Sequence, residues 1–267
     1  MKRKLSPFLS LWLLLAISLV IFVGVSLMKD IEFGGHVFSK AKFPETLLAT
    51  ETQEPPETET DSLTSEQNSS PEIITPKVEP DTTVHNVLVF GDSMTHHLAM
   101  SIAKYGTKNS YKVTGVTWES SSIPGWNQSG KVKKYLEEVK PDFVIISLGS
   151  NELGLKHFEA RVPEIKKLTE QLGDLPYIWV GPPLWKEDPG VYPMLEKALP
   201  KGVLFHTEGI DIPRGGDHIH PTRKGADVWA DTIMRWMPTT PHPILAEIPD
   251  SATTTKGHKF IYLHPDD

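Results

Sequence analysis

From residue 87 to residue 237, short apolar runs alternate with stretches of helical spacing in strand-then-helix order. The pattern predicts strands over 87–91, 111–117, 142–148, 176–181 and 202–206, and helices over 94–105, 130–139, 157–172, 191–198 and 222–237. A helix between two strands carries the chain back to its starting side, so successive strands run parallel and the helices cover both faces of the sheet. Phe143-Val144-Ile145-Ile146 is apolar without alternation, as a central parallel strand buried on both faces must be. Ala226, Trp229, Ile233 and Trp236 recur at helical spacing and are expected to pack the last helix on that sheet. No internal repeat is present.

The rest of the chain has a different composition. Pro7 to Met28 carries no charge and is almost wholly apolar. At 1.5 Å per residue it reaches across a hydrocarbon core of about 30 Å, so residues 7–28 are expected to form a transmembrane signal-anchor helix. Lys2, Arg3 and Lys4 stand before it, and this positive excess places residues 1–6 in the cytoplasm and everything after the span outside it. A cleaved secretory signal shares the basic start, but its apolar core is usually ~7–15 residues, shorter than this run. With no cysteine the chain has no lipoprotein acylation site, no disulfide and no thiolate nucleophile.

Residues 29–84 are expected to form a linker. Within them, residues 45–82 hold ten acidic side chains against Lys77 alone, among many Thr, Pro and Ser. Self-repelling charge with little apolar surface does not repay the entropy of folding, so this part is expected to be an extended, disordered tether. The overall charge is −7, of which only −2 falls on residues 83–267. A nearly neutral domain lacks the basic face that nucleic acid demands. The tail 239–267 is proline- and threonine-rich with one apolar patch, Phe260-Ile261-Tyr262-Leu263, compatible with disorder or with an irregular strap.

Chemistry-bearing residues gather at the carboxyl ends of the expected strands, where open parallel sheets place their sites. Gly91-Asp92-Ser93 follows the first strand, Gly125 lies in the loop region after the second, and Gly149-Ser150-Asn151-Glu152 follows the third. Asp217-His218-Ile219-His220 precedes the last helix. A serine at a helix N-terminus has backbone N–H groups free to stabilise negative charge, and its hydroxyl becomes a nucleophile once a base takes its proton. His220 is the expected base, and Asp217 would set its tautomer and stabilise the imidazolium.

This ordered set resembles the SGNH hydrolases, also called the GDSL esterases and lipases, over roughly residues 86–237. The resemblance implies a three-layer α/β/α, flavodoxin-like parallel sheet of about five strands in residues 85–238. It makes Ser93 the nucleophile, with Asp217 and His220 completing the triad. It also places the Ser93 and Gly125 backbone N–H groups and the Asn151 amide in the oxyanion hole. The first block reads Gly-Asp-Ser-Met where the family more often has Leu, and the second block aligns loosely, so Gly130 competes with Gly125.

Each residue also has a structural alternative. Asn151 fits a helix cap, Gly125 a turn after Pro124, and Asp92 a turn support. His218 is the rival base. His96-His97 with His218-x-His220 lacks a carboxylate-rich shell, so neither a metal nor any other cofactor is expected. Trp126 and Trp185 are candidate substrate-binding platforms, and Trp118 a packing residue. The expected function is a membrane-anchored, extracytoplasmic serine esterase acting through an acyl-enzyme. The expected substrate is an acylated, most simply acetylated, envelope carbohydrate. The alternatives are an O-acyltransferase working with a membrane partner, a lipase, and a non-catalytic glycan-binding module.

Overall fold

The computed structural model describes residues 30–33, 36–39 and 78–267. The expected membrane-spanning stretch and the acidic tether as far as residue 77 lie outside the described residues. The chain divides into two units, Met1–Ser70 and Pro71–Asp267. In the first, β1 (Asp30–Phe33) and β2 (His36–Ser39) pair as an antiparallel hairpin, with Asp30 opposite Ser39 and Phe33 opposite His36. Among the described residues, no helix is long and apolar enough to cross a membrane.

The second unit is built on six parallel strands. They are β3 (Asn86–Gly91), β4 (Lys112–Trp118), β5 (Phe143–Ser147), β6 (Tyr177–Val180), β7 (Leu204–Phe205) and β8 (Lys259–Leu263), in the spatial order β7-β6-β5-β3-β4-β8. Six α-helices accompany them: α1 (Thr95–Asn109), α2 (Ile123–Ser129), α3 (Lys131–Val139), α4 (Val162–Glu170), α5 (Val191–Ala198) and α6 (Arg223–Trp236). The chain first steps from β3 outward to β4, then returns to the other side of β3 and continues through β5, β6 and β7. The crevice between the carboxyl ends of β3 and β5 is therefore the topological switch point, where such sheets bind ligands.

Alternate residues of each central strand face opposite cores. Val87 and Val89 of β3 and Phe143 and Ile145 of β5 pack under α1 and α6, with Leu98, Ile102, Trp229 and Ile233. Leu88, Phe90, Val144 and Ile146 face the other way, onto Trp126, Tyr135, Ile165 and Leu195 from α2 to α5. Burying each such side chain stabilises the fold by about 1.5–3 kcal/mol relative to leaving it exposed. At the sheet's carboxyl edge, Gly91 lies so close to β5 that an added Cβ would sit 1.8 Å from the Ser147 carbonyl oxygen. Only glycine lets the strand that ends at the turn carrying Ser93 come in that tightly.

Two differences from the sequence expectation matter. The sheet has six strands rather than about five, because the tail pairs with β4 in parallel from Thr114–Lys259 to Trp118–Leu263. The tail is tied down before it reaches that edge. The Asn109 amide donates to the Glu247 carbonyl at 3.0 Å and accepts from the Glu247 N–H at 2.9 Å, and the Val113 N–H donates to His258 Nδ1 at 2.9 Å. Ahead of β3, Asp81 bridges to Ile244 of the tail and Val84 is buried. Second, α2 occupies a stretch expected to be loop. Ser122 caps it and Pro124 lies in its first turn, while Ile123 and Trp126, three residues apart, bury one face. One turn of apolar spacing is too short to register as a helix from periodicity alone.

Candidate active site

Ser93 lies in the turn between β3 and α1, and His220 and Asp217 lie in the loop before α6. His220 Nε2 is 2.9 Å from Ser93 Oγ, and His220 Nδ1 is 2.6 Å from Asp217 Oδ2. The other Asp217 oxygen accepts the backbone N–H groups of Ile219 at 3.0 Å and His220 at 3.1 Å. The His220 side-chain hydrogen bond, followed by these two N–H donors, holds the Asp217 carboxyl well below the usual carboxylate range. Ionised, Asp217 can only accept, so the proton of the neutral imidazole sits on Nδ1. Nε2 then presents its lone pair to the Ser93 hydroxyl. This is the tautomer a general base requires.

The loop's own backbone brings about this arrangement. His218 adopts a left-handed conformation, φ 58°, and its N–H donates to the Gly215 carbonyl at 3.0 Å while Gly215 N–H donates to the His220 carbonyl at 2.8 Å. The tight turn carries His218 outward and folds Asp217 back under His220. His220, not His218, meets the serine. The Arg214 guanidinium fastens the loop to the segment after β6, donating to the carbonyls of Ile219, Pro183 and Leu184. His97 Nδ1 lies 3.0 Å from the Pro221 carbonyl and ties α1 to the same loop.

Asp92 is buried and joins the ends of β3 and β5. Its carboxylate accepts Met94 N–H at 3.1 Å, Ser150 N–H at 3.2 Å and the Ser150 hydroxyl at 2.6 Å. Burial pushes its carboxyl upward and these donors oppose the shift. The role is the structural one expected for Asp92. It sets Ser93 and Asn151 in register across the switch point.

The two expected oxyanion donors outside Ser93 are differently placed. The Asn151 amide donates one N–H to the Ser121 carbonyl at 2.9 Å, which fixes its rotamer and leaves the second N–H to donate elsewhere. The Gly125 N–H donates to Ser122 Oγ at 3.3 Å, closing the first turn of α2. That donor is engaged in a helix cap. Gly130 is the exposed junction of α2 and α3, in a left-handed conformation, and offers no better candidate. Among the described residues the Ser93 N–H donates to no acceptor.

Trp126 does not lie at the Ser93 groove. It is fully buried, its indole N–H donates to Ser121 Oγ at 3.0 Å, and its ring packs 4.7 Å from Phe90 and 5.6 Å from Trp118. It therefore has no face to offer a substrate. Trp185 is partly buried and packs against both cores, but it does not line the groove that holds Ser93. Trp118 packs as expected, donating to the His264 carbonyl and lying under Lys131 Nζ.

Sequence reasoning did not identify the walls of that groove. Its volume is about 190 Å³, and Met94, His96, Glu119 and Tyr262 line it together with Ser93 and His220. Nor did it identify Glu152 as a tie between two loops. Glu152 is buried and its Oε1 accepts the Ile123 N–H at 3.0 Å, joining the loop that carries Asn151 to the start of α2. Burial pushes its carboxyl to about 7, and the nearby Asp92 adds to the shift.

No protein-family model matches this chain, and no curated protein matches it either. The solved structure of BT4096, a gut microbial diltiazem-metabolizing enzyme, is similar over 60% of this chain and 48% of that one, at 12% identity and a TM-score of 0.46. The chain thus spans about half of that enzyme's length.

Proposed function

We propose that this protein is a serine esterase of the SGNH type. The observation that carries the reading is the hydrogen-bonded relay from Asp217 through His220 to Ser93, ending in a switch-point crevice where the Ser93 N–H has no acceptor. Ser93 Oγ attacks the ester carbonyl while His220 Nε2 takes its proton. The Ser93 N–H and the free Asn151 amide N–H receive the developing oxyanion, each such donor contributing ~2.7–4 kcal/mol. His220 then protonates the leaving alcohol. Water, losing its proton to the same nitrogen, attacks the acyl-serine and releases the acid.

The substrate in this proposal is an O-acylated carbohydrate, and the chain is held outside the cytoplasm by residues 7–28. The apolar, uncharged run and the basic residues before it support the anchor.

Turnover of short and long 4-nitrophenyl esters by the full chain, compared with Ser93→Ala, tests the reaction. The variant is expected to fold normally and to lose about 10⁴-fold or more in kcat, the residual rate coming from the remaining donors. Equal release by both proteins would sink the assignment.

A further inference from the structure

The added strand β8 brings an aromatic side chain to the mouth of the Ser93 groove. Among the described residues only Val78, Ile248 and Tyr262 are large hydrophobics with substantial exposure, and of these Tyr262 alone lines the groove, with 44% of its surface open. Its position is set by more than β8. The ring stands edge-on to His96 at 5.3 Å and to His264 at 5.5 Å. The Glu119 N–H, at the end of β4, donates to the Leu263 carbonyl at 3.0 Å, and the Glu119 carboxylate lies 3.7 Å from His264 Nδ1.

An outward tyrosine on an edge strand has a plain explanation, since such positions face solvent. This one, however, belongs to the same cavity as the serine and its base, with a carboxylate and an imidazole beside it. Burial, reinforced by His97 and Arg223, holds His96 below the ordinary histidine range, so at neutral pH its ring is uncharged and presents one donor and one acceptor. Apolar and polar surface thus stand side by side in this groove, Met94 and the Tyr262 ring next to Glu119 and His96. A sugar ring matches them: its C–H face covers the phenol and its hydroxyls reach Glu119 and His96.

Resting on the esterase reading of Ser93, we propose that Tyr262, Glu119 and His96 form a carbohydrate subsite that holds the sugar ring of the acylated substrate beside the nucleophile.

The test uses the full chain, a set of mono-O-acetylated glucoses, and ethyl acetate, whose alcohol is too small to span the groove. Tyr262→Ala is expected to lower the preference for the sugar esters over ethyl acetate by about tenfold through KM, and Tyr262→Phe to retain that preference. Binding is read separately by saturation-transfer NMR on Ser93→Ala, where acetylglucose signals are expected and are expected to weaken about tenfold in Ser93→Ala/Tyr262→Ala. Circular dichroism confirms that each variant is folded. Unchanged preference together with unchanged binding overturns the subsite, as does an absence of sugar binding to Ser93→Ala. Tyr262-dependent binding without any Ser93-dependent turnover leaves the subsite standing and removes the esterase reading instead.

Discussion

The ionised Asp217 determines what His220 can do. Because Asp217 only accepts, His220 Nε2 is a lone pair facing a hydroxyl, and any condition that protonates the imidazole removes that lone pair. Ester turnover is therefore expected to fall in acid, with kcat/KM following the neutral imidazole. The side-chain bond from His220 that holds Asp217 down keeps its carboxylate ionised, so Asp217 does not supply the acid limb. A kcat/KM profile with no acid limb would exclude a histidine base. Gly91-Asp92-Ser93 and Asp217-x-x-His220 stood out in the sequence because each is a short motif, and the fold brings the two together across 127 residues of chain. The fate of the Gly125 N–H did not stand out, because the capping hydroxyl that takes it belongs to a helix the periodicity did not reveal.

At the scale of elements, the site depends on two loops that grow from neighbouring strands and are tied by side chains. Asp92 ties the β3 turn to the β5 loop, and Glu152 ties the β5 loop to α2. Glu152 carries a cost. Its folded carboxyl titrates near 7, above the ordinary 4.5, so between those values the folded protein keeps a proton that the unfolded chain has released. Stability must then fall as pH rises through this window, by an amount on the order of 3 kcal/mol, and level off above it. Arg161, with Nε 3.8 Å from Glu152 Oε1, only partly offsets this. Glu152→Gln keeps an acceptor for the Ile123 N–H and removes the ionisation. The variant is expected to gain stability relative to the parent as pH rises from about 4.5 to 7, read from denaturant midpoints at several pH values. Parallel curves for the two proteins would show that Glu152 does not ionise in this window.

Over the whole domain, two cores are separated by one sheet, and residues alternating along β3 and β5 feed each of them. Trp229 is fully buried in the α1–α6 core, and its indole N–H donates to Thr207 Oγ1 at 2.9 Å, which itself donates to the Gly181 carbonyl at 2.6 Å. Trp229→Ala removes the ring and the donor together and is expected to cost about 3–5 kcal/mol in urea unfolding. A loss under ~1 kcal/mol would mean that the core collapses into the space.

The chain alone determined the strand–helix alternation, hence a parallel sheet, with Ser93 and Asn151 just after strands and Asp217 and His220 before the last helix, because apolar period and the spacing inside each short motif are written within a few residues. Tertiary structure decided what depends on distant partners. Tyr262 reaches the groove only because β8 pairs with β4, a strand some 140 residues earlier in the chain. Trp126 lies inside rather than at the rim because Phe90 and Trp118 close over it. No local pattern specifies such contacts, since the same apolar residues would serve a surface strap or a loose tail equally well until the sheet edge is there to receive them.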